Sequence, residues 1–384
     1  MGCHSNVVSK IETNRLENKM PNSSWSLLYL SQEDCVAAGG AEMAQTLKAV
    51  ERSFFLHGVG DYIQPGKPVI RWGDAATEET TGRIMSMPSY LGGNNYKEQL
   101  HLMGLLGPVE TSGIKFIPSR PDNPKRGLPR ATAIIIILDP VTFIPICVMD
   151  GAIASAMRTG AASGVAAKYL ANPGSTCFGL VGASVQGMTQ AAAIKSAVPS
   201  LEILKIFDIN YDASVAFAER MTQKLGMEVV PVKTCQEAFV DCDVISTATM
   251  AREPYVDPEW YKPGAFHAEI SFWDTPPSAL SVFDRIFVDD WSQVKHHGVD
   301  VTCRAVKEGF ITEESISGEL GEVVAGKKIG RESESDKIFF NPIGMGIHDL
   351  SEGYRVYQNA LAKSVGTMLT YFKRNSGWLD SLSI

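Results

Sequence analysis

The residues best suited to chemistry form a glycine-bounded run, Gly182-Ala183-Ser184-Val185-Gln186-Gly187, with an acid, Asp208, 21 residues beyond it. Set between a strand and a helix, such a run suits a dinucleotide. Gly182 permits a tight turn, the small Ser184 lets backbone approach a pyrophosphate, and Gly187 lets helix and strand pack closely. The free N–H groups of the helix start favour the phosphates. Ser184 replaces the usual middle glycine of the fingerprint. Asp208, at the end of the next strand, supplies a carboxylate that accepts hydrogen bonds from an adenosine ribose and repels a 2′-phosphate. The following Ile209-Asn210 brings no cation, so NAD(H) is expected rather than NADP(H). Thr247-Ala248-Thr249 ends another strand, at the sheet edge where the nicotinamide half would lie.

The surrounding pattern supplies the scaffold these residues need. Strand-like and helix-like segments alternate over 177–181, 186–198, 201–207, 212–225, 227–232, 235–240 and 244–247. That alternation implies βαβ units and a doubly wound parallel sheet, a Rossmann domain assigned to 151–329. An Ala-rich helix is expected over 152–171, stopped by Asn172-Pro173-Gly174. Upstream, 26–150 reads as mixed α+β, with a helix over 41–56 and a hairpin of 132–138 and 143–149 turning at Asp139-Pro140. The Gly- and Asn-rich stretch 89–113 reads as a loop or lid. Leu350, Tyr354, Tyr357, Leu361, Val365, Met368 and Phe372 recur at steps of three and four, which predicts one long amphipathic helix. Residues 1–25 read as a flexible polar tail; Met1-Gly2-Cys3 invites lipidation, but Asn6 stands where the acceptor pattern wants Ser or Thr.

Composition narrows the partners. Lys and Arg total 35 against 43 Asp and Glu, a net charge of −8 with no basic block, which argues against nucleic acid or an anionic membrane. The seven cysteines are scattered without a C-x-x-C pair, so neither a disulfide framework nor a metal site is expected. They read as reduced cytoplasmic thiols. The histidines form no triad or metal pattern; His267 reads as a hydrogen-bonded core residue and His296-His297 as surface loop.

Further motifs point to a family. Met87-Pro88, Gly113-Ile114-Lys115, Gly127-Leu128-Pro129-Arg130, the run Arg158-Thr159-Gly160-Ala161-Ala162-Ser163 and Gly182 with Gln186 resemble, in order and spacing, the ornithine cyclodeaminase/mu-crystallin family. Gly127 to Ala133, Ser271-Phe272-Trp273-Asp274, Val288-Asp289-Asp290 and the Asn341-Pro342-Ile343-Gly344 segment are most similar to its 2,3-diaminopropionate branch of NAD-dependent dehydrogenases acting on N-(2-amino-2-carboxyethyl)-L-glutamate. The resemblance implies a homodimer, with the Rossmann domain inserted in a substrate and dimerisation domain made of 26–150 and 330–384. It also implies that Arg71 and Arg158 hold carboxylate, Lys115 stands near the reacting carbon, Asp274 faces the substrate nitrogen, Met87 lines the substrate site and Thr159 the cofactor.

Each role is chemically reasonable. Arg pairs bidentately with carboxylate, a Lys beside another cation has a lowered pKa and can handle protons, and a carboxylate beside a forming iminium stabilises its charge. Members that cyclise ornithine carry Glu two positions before the Met-Pro dipeptide, where this chain has Met85. The expectation is therefore an NAD(H)-dependent oxidoreductase acting at the C–N bond of an α-amino acid or its imine. The alternatives are a cyclodeaminase, a cyclic ketimine reductase, an alanine-type dehydrogenase or a non-catalytic mu-crystallin-like binder.

Overall fold

The structure, a computed structural model, describes residues 24–74, 79–373 and 377–383. The expected tail therefore lies, up to residue 23, outside the described residues. Two eight-stranded sheets organise the rest. The first contains β1 (Ser24–Leu30), β2 (Tyr62–Ile63), β3 (Val69–Asp74), β4 (Glu79–Leu91), β5 (Thr111–Ser119), β6 (Ile134–Leu138), β7 (Pro145–Asp150) and the C-terminal strand Thr367–Lys373. Apart from the parallel β1–β7 pair its ladders are antiparallel. The apolar run of β6 is half-buried: Ile135 and Ile137 point into the core and Ile134 is exposed, the period of two a pleated strand imposes. β6 and β7 pair as the expected hairpin, with Asp139 Oδ1 accepting from the Val141 and Thr142 N–H groups in the turn.

The second sheet is all parallel: β8 (Cys177–Val181), β9 (Ile203–Phe207), β10 (Glu228–Pro231), β11 (Val244–Thr247), β12 (Phe266–Glu269), β13 (Arg285–Val288), β14 (Ile316–Glu319) and β15 (Ile338–Asn341). Its order, β10-β9-β8-β11-β12-β15-β13-β14, reverses direction between β8 and β11, where doubly wound sheets bind ligands. This is the expected Rossmann sheet inserted in a mixed α+β unit. Because β15 belongs to it, the parallel sheet runs on past residue 329, the expected boundary, to Asn341.

Five helices matter for the site: α1 (Met43–Val59), α2 (Ala152–Leu170), α3 (Val185–Ala197), α4 (Tyr211–Leu225) and α5 (Gly346–Lys363). The small residues of α2 have a packing purpose. A Cβ on Gly160 would lie 2.4 Å from the Thr189 carbonyl oxygen, and one on Gly164 2.8 Å from that of Ala193, so α2 and the dinucleotide helix α3 cross almost backbone to backbone.

Three expectations need correction. The long C-terminal helix stops at Lys363, because Ser364 (φ 56°) and Gly366 (φ 98°) turn the chain left-handed and residues 367–373 then pair with β1 as a strand. Met368 and Phe372, which continue the helical spacing, are strand residues. The stretch 89–113 is no lid: β4 runs into it, Lys97–Leu102 is helical, and Leu91, Leu100 and Val109 are buried in the core. The Gly93 N–H donates to Asp61 Oδ2 at 2.8 Å, which pins the glycines down. His296 and His297 end a helix, Trp291–His297, rather than lying in a loop, and His297 is half-buried.

Candidate active site

The side chains of Lys115, Arg158 and Asp349 meet at a buried point between the sheets. Lys115 comes from β5, directly opposite Met87 of β4, and is 1% exposed. Its Nζ lies 2.7 Å from Asp349 Oδ1 and donates to Ser155 Oγ at 3.2 Å. Arg158 Nε, from α2, donates to the same Asp349 oxygen at 3.0 Å. Asp349 is on the first turn of α5, and its Oδ2 is buried without a hydrogen-bond partner among the described residues. Burial, with the Arg158 guanidinium beside it, pushes the Lys115 ammonium down to about 7, against the pull of Asp349. A lysine there can exchange a proton near neutral pH.

Two more cationic or polar groups close the site. Lys67 Nζ donates to the Ile343 carbonyl at 2.6 Å, and burial lowers it to about 8. His348 is wholly buried, its Nδ1 2.7 Å from Ser53 Oγ and its Nε2 unpartnered among the described residues. Burial first and Arg158 next hold it well below the usual imidazole value, so it is neutral. The loop after β15 comes close to Arg158: a Cβ on Gly344 would lie 2.6 Å from Nη1. Asp289 anchors that loop by accepting from the Ile343 and Gly344 N–H groups at 3.0 and 2.6 Å, while Asp290 caps Trp291–His297. The Val288-Asp289-Asp290 and Asn341-Pro342-Ile343-Gly344 motifs thus shape one wall.

The dinucleotide elements lie at the switch point. Gly182 has φ 107°, and a Cβ there would sit 2.7 Å from the Ala248 carbonyl oxygen; one on Gly187 would sit 1.9 Å from that of Gly182. Only glycine fits either place. Ser184 is the N-cap residue of α3, and Val185 and Gln186 form its first turn. The Ala183 N–H donates to Asp208 Oδ2 at 2.9 Å and the Asn210 N–H to Oδ1 at 3.0 Å, which fixes the carboxylate beside the glycine loop. Ile209 is almost fully exposed next to it. Turn, free helix start and carboxylate all fit a dinucleotide. Asp208→Ala is expected to reduce the preference for NAD(H) over NADP(H), at least tenfold in the parent (~1.4 kcal/mol), when both affinities are measured by NADH and NADPH fluorescence. An unchanged ratio would remove Asp208 from the ribose site.

The other expected residues fall into separate environments. Thr159 donates to the Ser155 carbonyl at 2.7 Å, and its own carbonyl accepts from Gln190 Nε2 at 3.3 Å; Ser246 Oγ donates to Gln190 Oε1 at 3.3 Å, linking α2 to β11. Thr247 is buried, its Oγ1 3.0 Å from His267 Nε2, while the Ala248 N–H donates to the Val181 carbonyl. His267 also meets the Tyr261 hydroxyl through Nδ1, and burial pushes it down to about 3, a neutral core histidine. Asp274, wholly buried, accepts from the Thr249 and Ser271 hydroxyls and does not touch Lys115 or Arg158. Arg71 is exposed on β3 opposite Arg83, apart from the Lys115 cluster. Asp349, Lys67 and His348 had no place in the sequence reading.

A switch-point glycine loop with a carboxylate fixed beside it, together with a buried Lys–Arg–Asp cluster, fits a dinucleotide-dependent oxidoreductase. The chain belongs to the ornithine cyclodeaminase/mu-crystallin family, whose model matches residues 37–364. It is 33% identical over 348 residues to the N-((2S)-2-amino-2-carboxyethyl)-L-glutamate dehydrogenase of Staphylococcus aureus, covering 90% of this chain and 99% of the relative. Among solved structures it resembles the Thermococcus litoralis Δ1-pyrroline-2-carboxylate reductase in complex with NADH and L-proline (TM-score 0.78, 34% identity, 89% of this chain and 99% of that one). It also resembles an archaeal alanine dehydrogenase dimer with bound NAD (TM-score 0.78, 31% identity, 91% of this chain and 100% of that one). The protein is an NAD-dependent amino acid or imine dehydrogenase of this family.

Proposed function

We propose that this enzyme oxidises the C–N bond of an N-substituted α-amino acid, in the manner named for N-((2S)-2-amino-2-carboxyethyl)-L-glutamate dehydrogenase, and that the α-carboxylate of the substrate binds between Arg158 and Lys115. One observation carries the reading: a buried carboxylate, Asp349, holds both cations through a single oxygen and orients them toward one point. NAD, when bound against Gly182, Ala183, Ser184, Val185, Gln186, Gly187, Asp208 and Ile209, with Thr159, Thr247, Ala248 and Thr249 toward its nicotinamide half, supplies the acceptor for a hydride leaving the α-carbon. Arg158 orients the carboxylate, Met87 packs against the substrate, and Lys115 moves the proton at the substrate nitrogen or at the attacking water. Asp274, on the cofactor-side loop, balances the charge of the iminium, which water converts to a 2-oxo acid and an amine.

Met85 brings no carboxylate where ornithine-cyclising relatives carry one, which favours release of NADH over its reuse within the turnover. The exposed Met368, Leu369, Tyr371 and Phe372 of the C-terminal strand, beside exposed Tyr29 of β1, favour a homodimer through the first sheet. The six described cysteines are free, which suits the cytoplasm. Among the described residues no helix is long and apolar enough to cross a membrane.

Product stoichiometry tests the proposal. Given NAD and N-(2-amino-2-carboxyethyl)-L-glutamate, the enzyme is expected to accumulate one NADH per 2-oxo acid formed. Conversion of ornithine to proline and ammonia, with catalytic NAD and no net NADH, would overturn the dehydrogenase reading in favour of a cyclodeaminase.

A further inference from the structure

The first sheet carries a second group of cations that the Lys115 site does not use. Arg71 and Arg83 face each other directly across the antiparallel β3–β4 pair, and Arg83 in turn faces Ser119 of β5, donating from Nε to its Oγ at 3.0 Å. Ser119 bridges to Ala131, so Arg130 of the Gly127–Arg130 motif lies on the next segment along. The Arg130 guanidinium reaches Met250 Sδ, just past Thr249 in the loop after β11, and so links this end of the first sheet to the second. His297 ends the helix Trp291–His297: its ring packs at a 42° tilt against Phe272 with centroids 5.4 Å apart, and its buried Nδ1 has no partner among the described residues.

Like charges set directly opposite on neighbouring strands are destabilising. Nearby Arg120 and Arg126 both pair with Asp122, but no carboxylate among the described residues lies within ion-pair distance of Arg71, Arg83 or Arg130. Burial first, then the charges of Arg130 and Arg71, hold the Arg83 guanidinium below its ordinary value. Burial, Lys67, Arg71 and Arg83 likewise hold His297 down at about 4, which leaves it a neutral N–H donor. A set of mutually repelling guanidiniums without a carboxylate partner among the described residues is compensated when an anion binds it.

Register shows that the two groups of cations look onto the same surface. Directly opposite residues share a face, and residues two apart along a strand share it too, so Arg71, Arg83, Met85, Met87 and Lys115 all lie on one face of the sheet. Arg83 is four residues from Met87, the partner of Lys115, a backbone separation of about 13 Å that long arginine side chains can shorten.

We propose that Arg71, Arg83 and Arg130, with His297, form a second anion subsite that binds a carboxylate of the substrate remote from its reacting carbon. The proposal rests on the reading that the first carboxylate sits between Arg158 and Lys115. The substrate is accordingly an extended di- or tricarboxylate, and a simple amino acid fills only half of the site.

Competition against NADH-dependent turnover, together with equilibrium binding by calorimetry, tests this with three probes: 2-oxopentanoate, 2-oxoglutarate of equal chain length, and N-(2-amino-2-carboxyethyl)-L-glutamate. At least one of the polycarboxylates is expected to bind tenfold or more tightly than 2-oxopentanoate. Arg83→Gln and the exposed Arg130→Gln should each remove most of that advantage while moving the 2-oxopentanoate affinity less than threefold. If 2-oxopentanoate binds but the additional carboxylates bring no gain, or the gain survives both substitutions, this subsite is overturned and the Arg158 reading stands. If 2-oxopentanoate binding is indifferent to Arg158→Gln, the Arg158 reading fails and takes this proposal with it.

Discussion

Asp349→Asn is expected to lower kcat/KM by two to three orders of magnitude, with the loss mostly in substrate capture. Asp349 is the one carboxylate among the described residues that touches both Lys115 Nζ and Arg158 Nε, at 2.7 and 3.0 Å, and all three groups are buried or nearly so. Removing one partner of a buried charge cluster leaves the others uncompensated, typically at about 3 to 5 kcal/mol. The amide keeps the shape but not the charge, so the two cations repel across the position the substrate carboxylate must reach, and burial lowers Lys115 further. Steady-state kinetics with thermal denaturation checks both parts. A variant within threefold of the parent in kcat/KM would show that Asp349 is only a first-turn helix residue.

Lys115→Ala is expected to reduce kcat by two orders of magnitude or more while leaving NADH binding within a few-fold, as loss of an acid–base group does. The parent should also show kcat/KM for oxidation rising as pH climbs through about 7, the value to which burial and Arg158 bring Lys115, because the neutral amine is the proton acceptor. That limb should vanish in the variant. The same shift has a stability consequence of defined sign. Between about 7 and the ordinary lysine value of 10.5 the unfolded chain binds the extra proton, so this residue's contribution makes the fold more stable as pH rises across that window. Near-normal kcat with a raised KM would reduce Lys115 to a carboxylate-binding residue.

How much of this was legible in the sequence follows from the kind of signal each residue carries. Gly182 and Gly187 were readable because a tight turn and a close approach each demand a residue type at a fixed offset, and the structure shows the crowding that enforces both; Asp208 was readable from its offset alone, and the structure holds its carboxylate beside the glycine loop. The alternation of strand and helix in the second half exposed its parallel sheet for the same reason. Asp349 was hidden by a bland alternative: an acid in the first turn of a helix is what the helix dipole favours anyway, so nothing in Gly346-Ile347-His348-Asp349 marks it as the partner of a lysine 234 positions earlier. The end of α5 was missed because helical spacing continues through Met368 and Phe372 although Ser364 and Gly366 turn the chain. Gly92-Gly93-Asn94-Asn95 resembles a lid in composition, but contacts with Asp61 and Glu110, which composition does not reveal, hold it in place. The family resemblance groups Arg71 with Arg158 as a carboxylate ligand; strand register sets it directly opposite Arg83, which no spacing in the sequence marks.

The central claim is that the bond broken lies at the α-carbon of a carboxylate-anchored amino acid and that its hydride leaves with the cofactor. Isotope tracing tests it most directly. N-(2-amino-2-carboxyethyl)-L-glutamate carrying deuterium at the glutamate α-carbon, incubated with the enzyme and NAD, should give NADH labelled at the nicotinamide ring in a one-to-one ratio with unlabelled 2-oxo acid. Deuterium retained in an amino acid product, or lost to water with no label in NADH, would contradict the account.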